Sequence, residues 1–530
     1  MSGILRVDWR ASLSLVGSIL KYLAVPLCVP VVVALYYGDG GLPAFLLTIA
    51  VTLGVGTALE RLDDDPDIGT REGFLMVALS WLLVAAIGAI PYLVEAHGVP
   101  GVVAPTHPES TLGNPANALF ESMSGFTTTG ATVLGSISFD AHSRAMMMWR
   151  QQTQWLGGMG IVVLAVAILP KLSVGGAQLM DAEAPGPGLE KLTPKIAETA
   201  RTLWVLYVGL TALEIAILYG LHLLGPVVGT PLAPKMTFYN AVAHGLTTMP
   251  TGGFSPMARS IEAFSAVVQW VIVPFMVAAG VNFALFWHFV KGERHHVRED
   301  AEFRAYAGVF AVATAVLGVL LYTDPGLASV ANVGRITGAI EPSLRHAAFQ
   351  AAAIVTTTGY ASMDFNAWGT PAKYALLVLM FVGGSAGSTG GGIKIVRWLV
   401  VLKSVRREFF TTIHPDAVKP VRLGGQVVDE SAVRGIQAFT LLYIVLFALA
   451  SVLVIWNGAA VEGGMTVLEG VSAAASTLGN VGPGFGAFGP MNSYLPFPNS
   501  TKLLMVGLMW VGRLEIFPVL ILLTRSYWSS

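Results

Sequence analysis

The sequence predicts an all-α integral membrane protein of ten spans: an N-terminal two-helix hairpin, then four repeated helix–pore-helix–filter–helix units around a central pore. Three observations lead there. Of 530 residues, 54% are hydrophobic and only 12% are charged, about half the ~25% usual in soluble domains. Apolar stretches near the ~20 residues that a bilayer requires recur along the chain. One Gly/Thr-rich pattern also returns four times after residue 70. So few charges could not cover a soluble surface. With 31 Lys and Arg against 32 Asp and Glu, no basic excess points to nucleic acid. The single cysteine, Cys28, excludes an intrachain disulfide framework and a cysteine-ligated zinc site.

The spans are expected at 13–36, 42–59, 73–95, 145–170, 202–224, 264–290, 305–323, 373–403, 434–456 and 502–524. The first is too long for a signal-peptide core and follows Asp8 and Arg10, so it reads as a retained helix. Ten spans put both termini on one side, and 22 of the 31 Lys and Arg fall on that side. The positive-inside bias makes it the cytoplasmic one.

The four Gly-rich segments are Thr127-Thr128-Thr129-Gly130, Thr251-Gly252-Gly253-Phe254, Thr356-Thr357-Thr358-Gly359 and Gly479-Asn480-Val481-Gly482. The glycines Gly130, Gly253, Gly359 and Gly482 are spaced by 123, 106 and 123 residues. In the second copy the register is open between Gly252 and Gly253. Before each glycine lies an apolar stretch too short to span: Asn117–Phe126, Phe238–Met249, Leu344–Val355 and Thr466–Leu478. Irregular backbone at membrane depth is tolerated only where it is buried in protein or lines a watery cavity. The expected division is 1–70 hairpin, 71–195 first pore unit, 196–300 second, 301–425 third and 426–530 fourth.

Half-helices that run toward a common axis bring their C-termini there, each with a partial charge of about −0.5. That favours a cation. Glycine lets the following backbone aim carbonyl oxygens inward with no side chain in the way. No charged residue lies inside the four segments. An acidic ring would suit a divalent ion, so a carbonyl filter for a monovalent cation is expected. Gly/Thr-rich turns between ordinary helices are the bland alternative, and four copies in register weigh against it.

These residues resemble the filter segments of the Trk/Ktr/HKT potassium transporters. Trp155-Leu156-Gly157-Gly158-Met159-Gly160, the run Gly383–Lys394 and Gly512-Arg513-Leu514-Glu515 resemble the second-helix motifs of the bacterial TrkH branch. The likeness covers about 70–525, and the additional N-terminal hairpin also fits that branch. It implies a filter of Thr128, Thr129, Gly130, Thr251, Gly252, Gly253, Thr357, Thr358, Gly359, Asn480, Val481 and Gly482. K+ would sit at the carbonyls of Thr129, Gly130, Gly253, Thr358, Gly359, Val481 and Gly482. Glycine at all four positions resembles the potassium-selective members, whereas some HKT members carry Ser in the first filter. The second and fourth segments depart from a Thr-Val-Gly-Tyr-Gly pattern, which suggests fewer well-formed ion sites.

Gly383 to Gly392 interrupts a span, and each glycine in a continuous helix would cost about 1 kcal/mol relative to Ala. A break is expected. The Walker pattern is not met, because Gly392 is followed by Ile393 before Lys394. By resemblance this is an intramembrane gating loop, with Gly383, Gly384, Ser385, Gly387, Ser388, Thr389, Gly390, Gly391 and Gly392 as gate residues. A kinked helix without a gating role is the alternative. Arg513, in mid-span, usually needs a cavity or a partner, and the resemblance puts it below the filter beside this loop. Glu121, His244, His346 and Glu469 either tune the filter field or anchor the half-helices by hydrogen bonds. Arg150 either snorkels outward or pairs with an acid such as Glu121, and Glu214 reads as a structural hydrogen-bonder. The acidic turn Asp63, Asp64, Asp65 and Asp67 and the pair His295-His296 read as solvated.

No residue set suggests catalysis, so an enzyme is not expected. The resemblance implies a homodimer in a bacterial inner membrane and a cytosolic ring of nucleotide-binding RCK subunits of the TrkA type. The basic loops 171–201, 291–304 and 394–434 offer docking surface for that ring, which would supply any nucleotide. An H+- or Na+-coupled potassium symporter is the second hypothesis. It predicts inverted repeats with a midplane site, whereas these repeats run in one direction.

Overall fold

A computed structural model describes residues 7–66, 69–168, 196–459, 461 and 463–528. The basic stretch 171–195, Arg6 and Asp67 therefore lie outside the described residues. Among them the regular structure is helical, apart from a short hairpin of β1 (Arg422–Leu423) and β2 (Gln426–Val427).

The first helices are α1 (Trp9–Leu23), α2 (Cys28–Tyr37) and α3 (Leu42–Glu60). α1 packs on α3 through glycine: a Cβ on Gly17 would lie 2.5 Å from the Gly56 carbonyl oxygen. Such small-residue contacts let helix backbones approach where lipid gives no hydrophobic drive. Lys21 and Glu60 close the same interface at 2.5 Å.

Next come α4 (Thr70–Gly88), α5 (Ile90–His97), the short α6 (Pro115–Phe126) and the long α7 (Arg144–Ile168). They are followed by α8 (Ile196–Val227), the short α9 (Phe238–Thr248), α10 (Ala266–Ala279), α11 (Phe283–Val290) and α12 (Arg294–Glu299). Then come α13 (Ala301–Thr323), the short α14 (Ile340–Val355), α15 (Thr370–Leu379) and α16 (Ile395–Ile413). Last are α17 (Glu430–Gly458), the short α18 (Val467–Gly479), α19 (Asn499–Arg513), α20 (Phe517–Leu522) and α21 (Arg525–Trp528).

Among the described residues, six stretches are long and apolar enough to cross a membrane: Trp9–Tyr37, Leu42–Glu60, Arg71–His97, Arg201–Val227, Ala301–Thr323 and Glu430–Gly458. The bent pair α10–α11 makes seven if counted as one span. They fall on seven of the ten expected positions; of the other three, one is a continuous helix that reaches the end of the described residues and two are broken. α7 is continuous, but its outer half carries buried Arg150, Gln151, Gln152 and Gln154. The expected span 373–403 is two helices, α15 and α16, separated by the Gly-rich run. The expected span 502–524 breaks after Arg513, where Glu515 and Ile516 take φ of 57° and 67°. The span 264–290 bends by 99° between α10 and α11. Hydropathy averaged over a window hides such breaks.

The four short helices have 12, 11, 16 and 13 residues. At 1.5 Å per residue none reaches the ~30 Å of a hydrocarbon core. Their starts are written locally. Asn114 caps α6 through Ala116 N–H at 2.9 Å ahead of Pro115, Thr237 caps α9, and Thr466 with Glu469 forms a capping box on α18. α6 packs against α4, α7 and α19; α9 against α7, α8 and α10; α14 against α10, α13 and α15; α18 against α17 and α19.

Candidate functional site

Each short helix ends in the same backbone figure. Two residues before the key glycine, a non-glycine residue turns left-handed: Thr128 (φ 53°), Thr251 (57°), Thr357 (59°) and Asn480 (54°). The glycine then turns left-handed as well: Gly130 (79°), Gly253 (78°), Gly359 (73°) and Gly482 (109°). The residue between them can return its N–H to the helix. Thr129 bonds Ser124 O, Gly252 bonds Thr247 O and Val481 bonds Ser476 O, all at 2.9 Å. These equivalences set the register of the second segment, with Gly253 matching Gly130.

The four segments touch in a closed ring. A Cβ on Gly130 would overlap the Gly252 carbonyl, one on Gly253 the Thr358 carbonyl and one on Gly359 the Val481 carbonyl. A Cβ on Gly482 would come to 2.7 Å from the Thr129 carbonyl oxygen. Only glycine combines these φ angles with this closeness. All four glycines line one opening.

Side chains tie each segment back to its own short helix. Glu121 accepts from Thr132 Oγ1 (2.9 Å), from Val133 N–H (2.9 Å) and from Arg150 Nε (2.6 Å). Both partners of that ion pair are buried, and Arg150 also lies over the Phe254 ring at 3.5 Å. Arg150 thus pairs inward and does not snorkel. His244 meets Ser255 Oγ at 3.1 Å, and His346 meets Ser362 Oγ at 2.8 Å. Glu469 accepts from Ala487 N–H at 2.9 Å. These contacts are the anchoring alternative. Sequence reasoning missed Gln154, which donates to the Gly252 carbonyl (2.7 Å) and accepts from Phe254 N–H (3.0 Å). It also missed Gln350, which donates to Tyr360 O at 2.9 Å, and Tyr494, whose hydroxyl donates to Gly482 O at 2.9 Å. A polar run inside the 145–170 span, Arg150-Gln151-Gln152-Thr153-Gln154, was the signal for the first.

The loop 383–392 lies against the C-terminal ends of these short helices. Thr389 Oγ1 donates to Met249 O at 2.9 Å, and Thr357 Oγ1 accepts from Gly391 N–H at 2.7 Å. A Cβ on Gly391 would come to 2.6 Å from Gly479 O, and one on Gly390 to 3.0 Å from Thr356 O. Two cations grip adjacent carbonyls of the loop. Arg513 donates to Thr389 O (2.8 Å) and also to Gly157 O (3.1 Å) on α7, while Lys394 donates to Gly390 O. Arg513 does not pair with Glu515, which binds Arg397 instead. The loop's outer flank is held by Ser385 N–H to Gly280 O (2.9 Å) and Phe283 N–H to Gly387 O (3.1 Å). The Glu302 carboxylate accepts from Ala386 N–H (2.8 Å) and Val396 N–H (3.1 Å). Glu302 was not singled out from the sequence. The expected gate residues Gly383, Gly384, Ser385, Gly387, Ser388, Thr389, Gly390, Gly391 and Gly392 thus form one loop in contact with Arg513.

The chain matches the TrkH family, described as cation transport proteins, over residues 41–529. It is 35% identical over 528 residues to the Trk system potassium uptake protein TrkH of Halomonas elongata, covering 98% of this chain and 99% of that one. It is 34% identical to TrkG of Escherichia coli, covering 94% and 95%. The crystal structure of the potassium transporter TrkH from Vibrio parahaemolyticus superposes with a TM-score of 0.80 at 32% identity, covering 98% of this chain and 100% of that one.

Proposed function

This chain belongs to the TrkH family of cation transport proteins, and from that premise we propose that it admits K+ to the cytoplasm through a filter made by its four Gly-rich segments. The family transports ions and is not one of enzymes. The carrying observation is the closed ring of glycine-on-carbonyl contacts at the ends of four short helices. The helix ends supply negative potential without a carboxylate, and the carbonyls of Thr129, Gly130, Gly253, Thr358, Gly359, Val481 and Gly482 take the place of water around the ion. Gln154 and Tyr494 each engage a ring carbonyl in one segment only, so the ring has unequal donors and selects K+ over Na+ modestly.

The units then divide as 71–195, 196–300, 301–425 and 426–530 after the hairpin 1–70. The loop 383–392 is the gate. Arg513 and Lys394 hold it against the filter's inner end and raise the barrier for a cation. Flux is passive and driven by an inside-negative potential, each charge gaining about 2.3 kcal/mol per 100 mV. The protein works as a homodimer in a bacterial inner membrane with both termini cytoplasmic. A cytosolic nucleotide-binding ring of the TrkA type moves the gate.

Flux of K+, Rb+ and Na+ in proteoliposomes tests this. Gly130→Ser should lower the K+/Na+ ratio several-fold, and Arg513→Ala should raise K+ flux. No monovalent flux in any variant, even with a partner ring supplied, would refute it and favour coupled symport.

A further inference from the structure

We propose that His288, Glu293 and His296 form a binding site for a first-row divalent metal ion of the Zn2+ class, on the strap that joins α10 to α13. The sequence suggested only solvated histidines at 295–296. The structure instead folds one of them back. Lys291 and Gly292 turn the chain, with Gly292 at φ 82°, and Glu293 N–H bonds His288 O at 2.9 Å. That turn brings the last turn of α11 against α12. His288 Nδ1 lies 2.6 Å from Glu293 Oε2, and the His288 and His296 ring centroids are 4.6 Å apart. One donor atom from each of the three residues falls within 4.8 Å of the others, and all three are partly buried.

Bonds of roughly 2.0–2.1 Å in a tetrahedral site put ligand atoms about 3.3 Å apart. The carboxylate would move out by under 1 Å and the second imidazole inward, which are side-chain rotations. Two imidazoles and one carboxylate are the donor set of zinc and its neighbours. Mg2+ and Ca2+ require mostly oxygen ligands, and Lys291, close enough to act on Glu293 electrostatically, disfavours an ion held by charge alone. A water can fill the fourth position, since the Glu293 side chain is 42% exposed.

The position gives the site a consequence. Five residues before His288, Phe283 N–H holds the Gly387 carbonyl. Six residues after His296, Glu302 holds the N–H groups of Ala386 and Val396. A metal that clamps α11 to α12 therefore stiffens the strap between two elements that both grip the loop 383–392, at Gly387 and at Ala386. The site stands on its own geometry; only its effect on transport rests on the pore reading.

The test uses the full chain, purified with a tag free of histidine and stripped with chelator. Zn2+ is titrated by calorimetry and Co2+ by visible absorption. One ion per chain is expected, with a tetrahedral cobalt spectrum. Affinity should fall at least tenfold in His288→Ala and in His296→Ala and be unchanged in His295→Ala, with each variant checked for a wild-type elution profile. Absence of saturable binding, or binding that survives in the His288→Ala/His296→Ala double variant, would overturn the site. In proteoliposomes, saturating Zn2+ should change K+ flux at least twofold in the wild type and not in the double variant. Binding without that change would overturn the coupling to the loop. A protein with no K+ flux in any form would count against the pore, while the binding isotherm would still decide the site.

Discussion

Charges in this protein are spent in buried pairs whose loss has defined costs. Arg150 and Glu121 are both nearly unexposed and meet at 2.6 Å. Removing one partner of such a pair costs about 3–5 kcal/mol, because the other is left charged and dry. Arg150→Met should therefore lower thermal stability sharply, and Glu121→Gln/Arg150→Met should recover most of it; fluorescence-detected unfolding in detergent reads both. Outside the membrane, His107 Nδ1 lies 3.3 Å from Glu95. The nearby carboxylate raises the His107 pKa above the ordinary value of 6.5, against a smaller opposing effect of burial. A raised histidine stabilises the fold fully below the unfolded pKa, and the gain is lost as pH rises through the folded one. Melting temperature should thus fall across that window in the wild type and stay flat in His107→Gln. Most of these residues could be named from the sequence as polar groups in apolar surroundings. Pairing with Glu121 was one of two fates the sequence left open for Arg150, but the partners of His107 and Arg397 were not legible. Arg397 and Glu515 are 118 residues apart, and no local pattern announces such a pair.

At the scale of elements, the half-helices were the most legible part. The stretch read as 117–126 is a helix from Pro115 to Phe126, and the one read as 238–249 runs from Phe238 to Thr248. Length, caps and the terminal glycine all act locally, so the sequence carries them. The breaks in the inner halves of the second helices were legible only at Gly383–Gly392, where glycine is dense. The break after Arg513 has no glycine. It is made by Glu515 and Ile516 in a left-handed conformation that a β-branched residue rarely adopts, and only tertiary contacts can impose that. The loop between α15 and α16 is gripped at neighbouring carbonyls by Arg513 and Lys394. Lys394→Met should raise K+ flux, and combined with Arg513→Ala should raise it beyond either alone. Flux equal to or below wild type in the double variant would rule out a restraining role for the two cations.

For the whole molecule, the proposed passive driving force is tied to how the four short helices are joined. Each is followed by a segment that contacts the next, and the fourth returns to the first. On the proposed reading, such an arrangement works as one pore and not by alternating access. Net K+ flux should then reverse when the imposed membrane potential is reversed, with no H+ or Na+ gradient present. A strict requirement for either gradient would instead establish coupling. The composition pointed to the membrane, but hydropathy alone did not show the breaks inside the expected spans 373–403 and 502–524.

The ring also limits how this chain can change over generations. Each glycine rests on the backbone of the next segment, so widening one rung displaces a neighbour, and that displacement travels round until it returns to its origin. The four segments differ in their side chains, as at Thr128 and Asn480, but not in the path of the chain. A useful variant of the opening is therefore reached by altering the outer supports, such as Gln154 or Tyr494, and leaving the glycines in place. Specialisation of one quarter is free only where the other three are not touched.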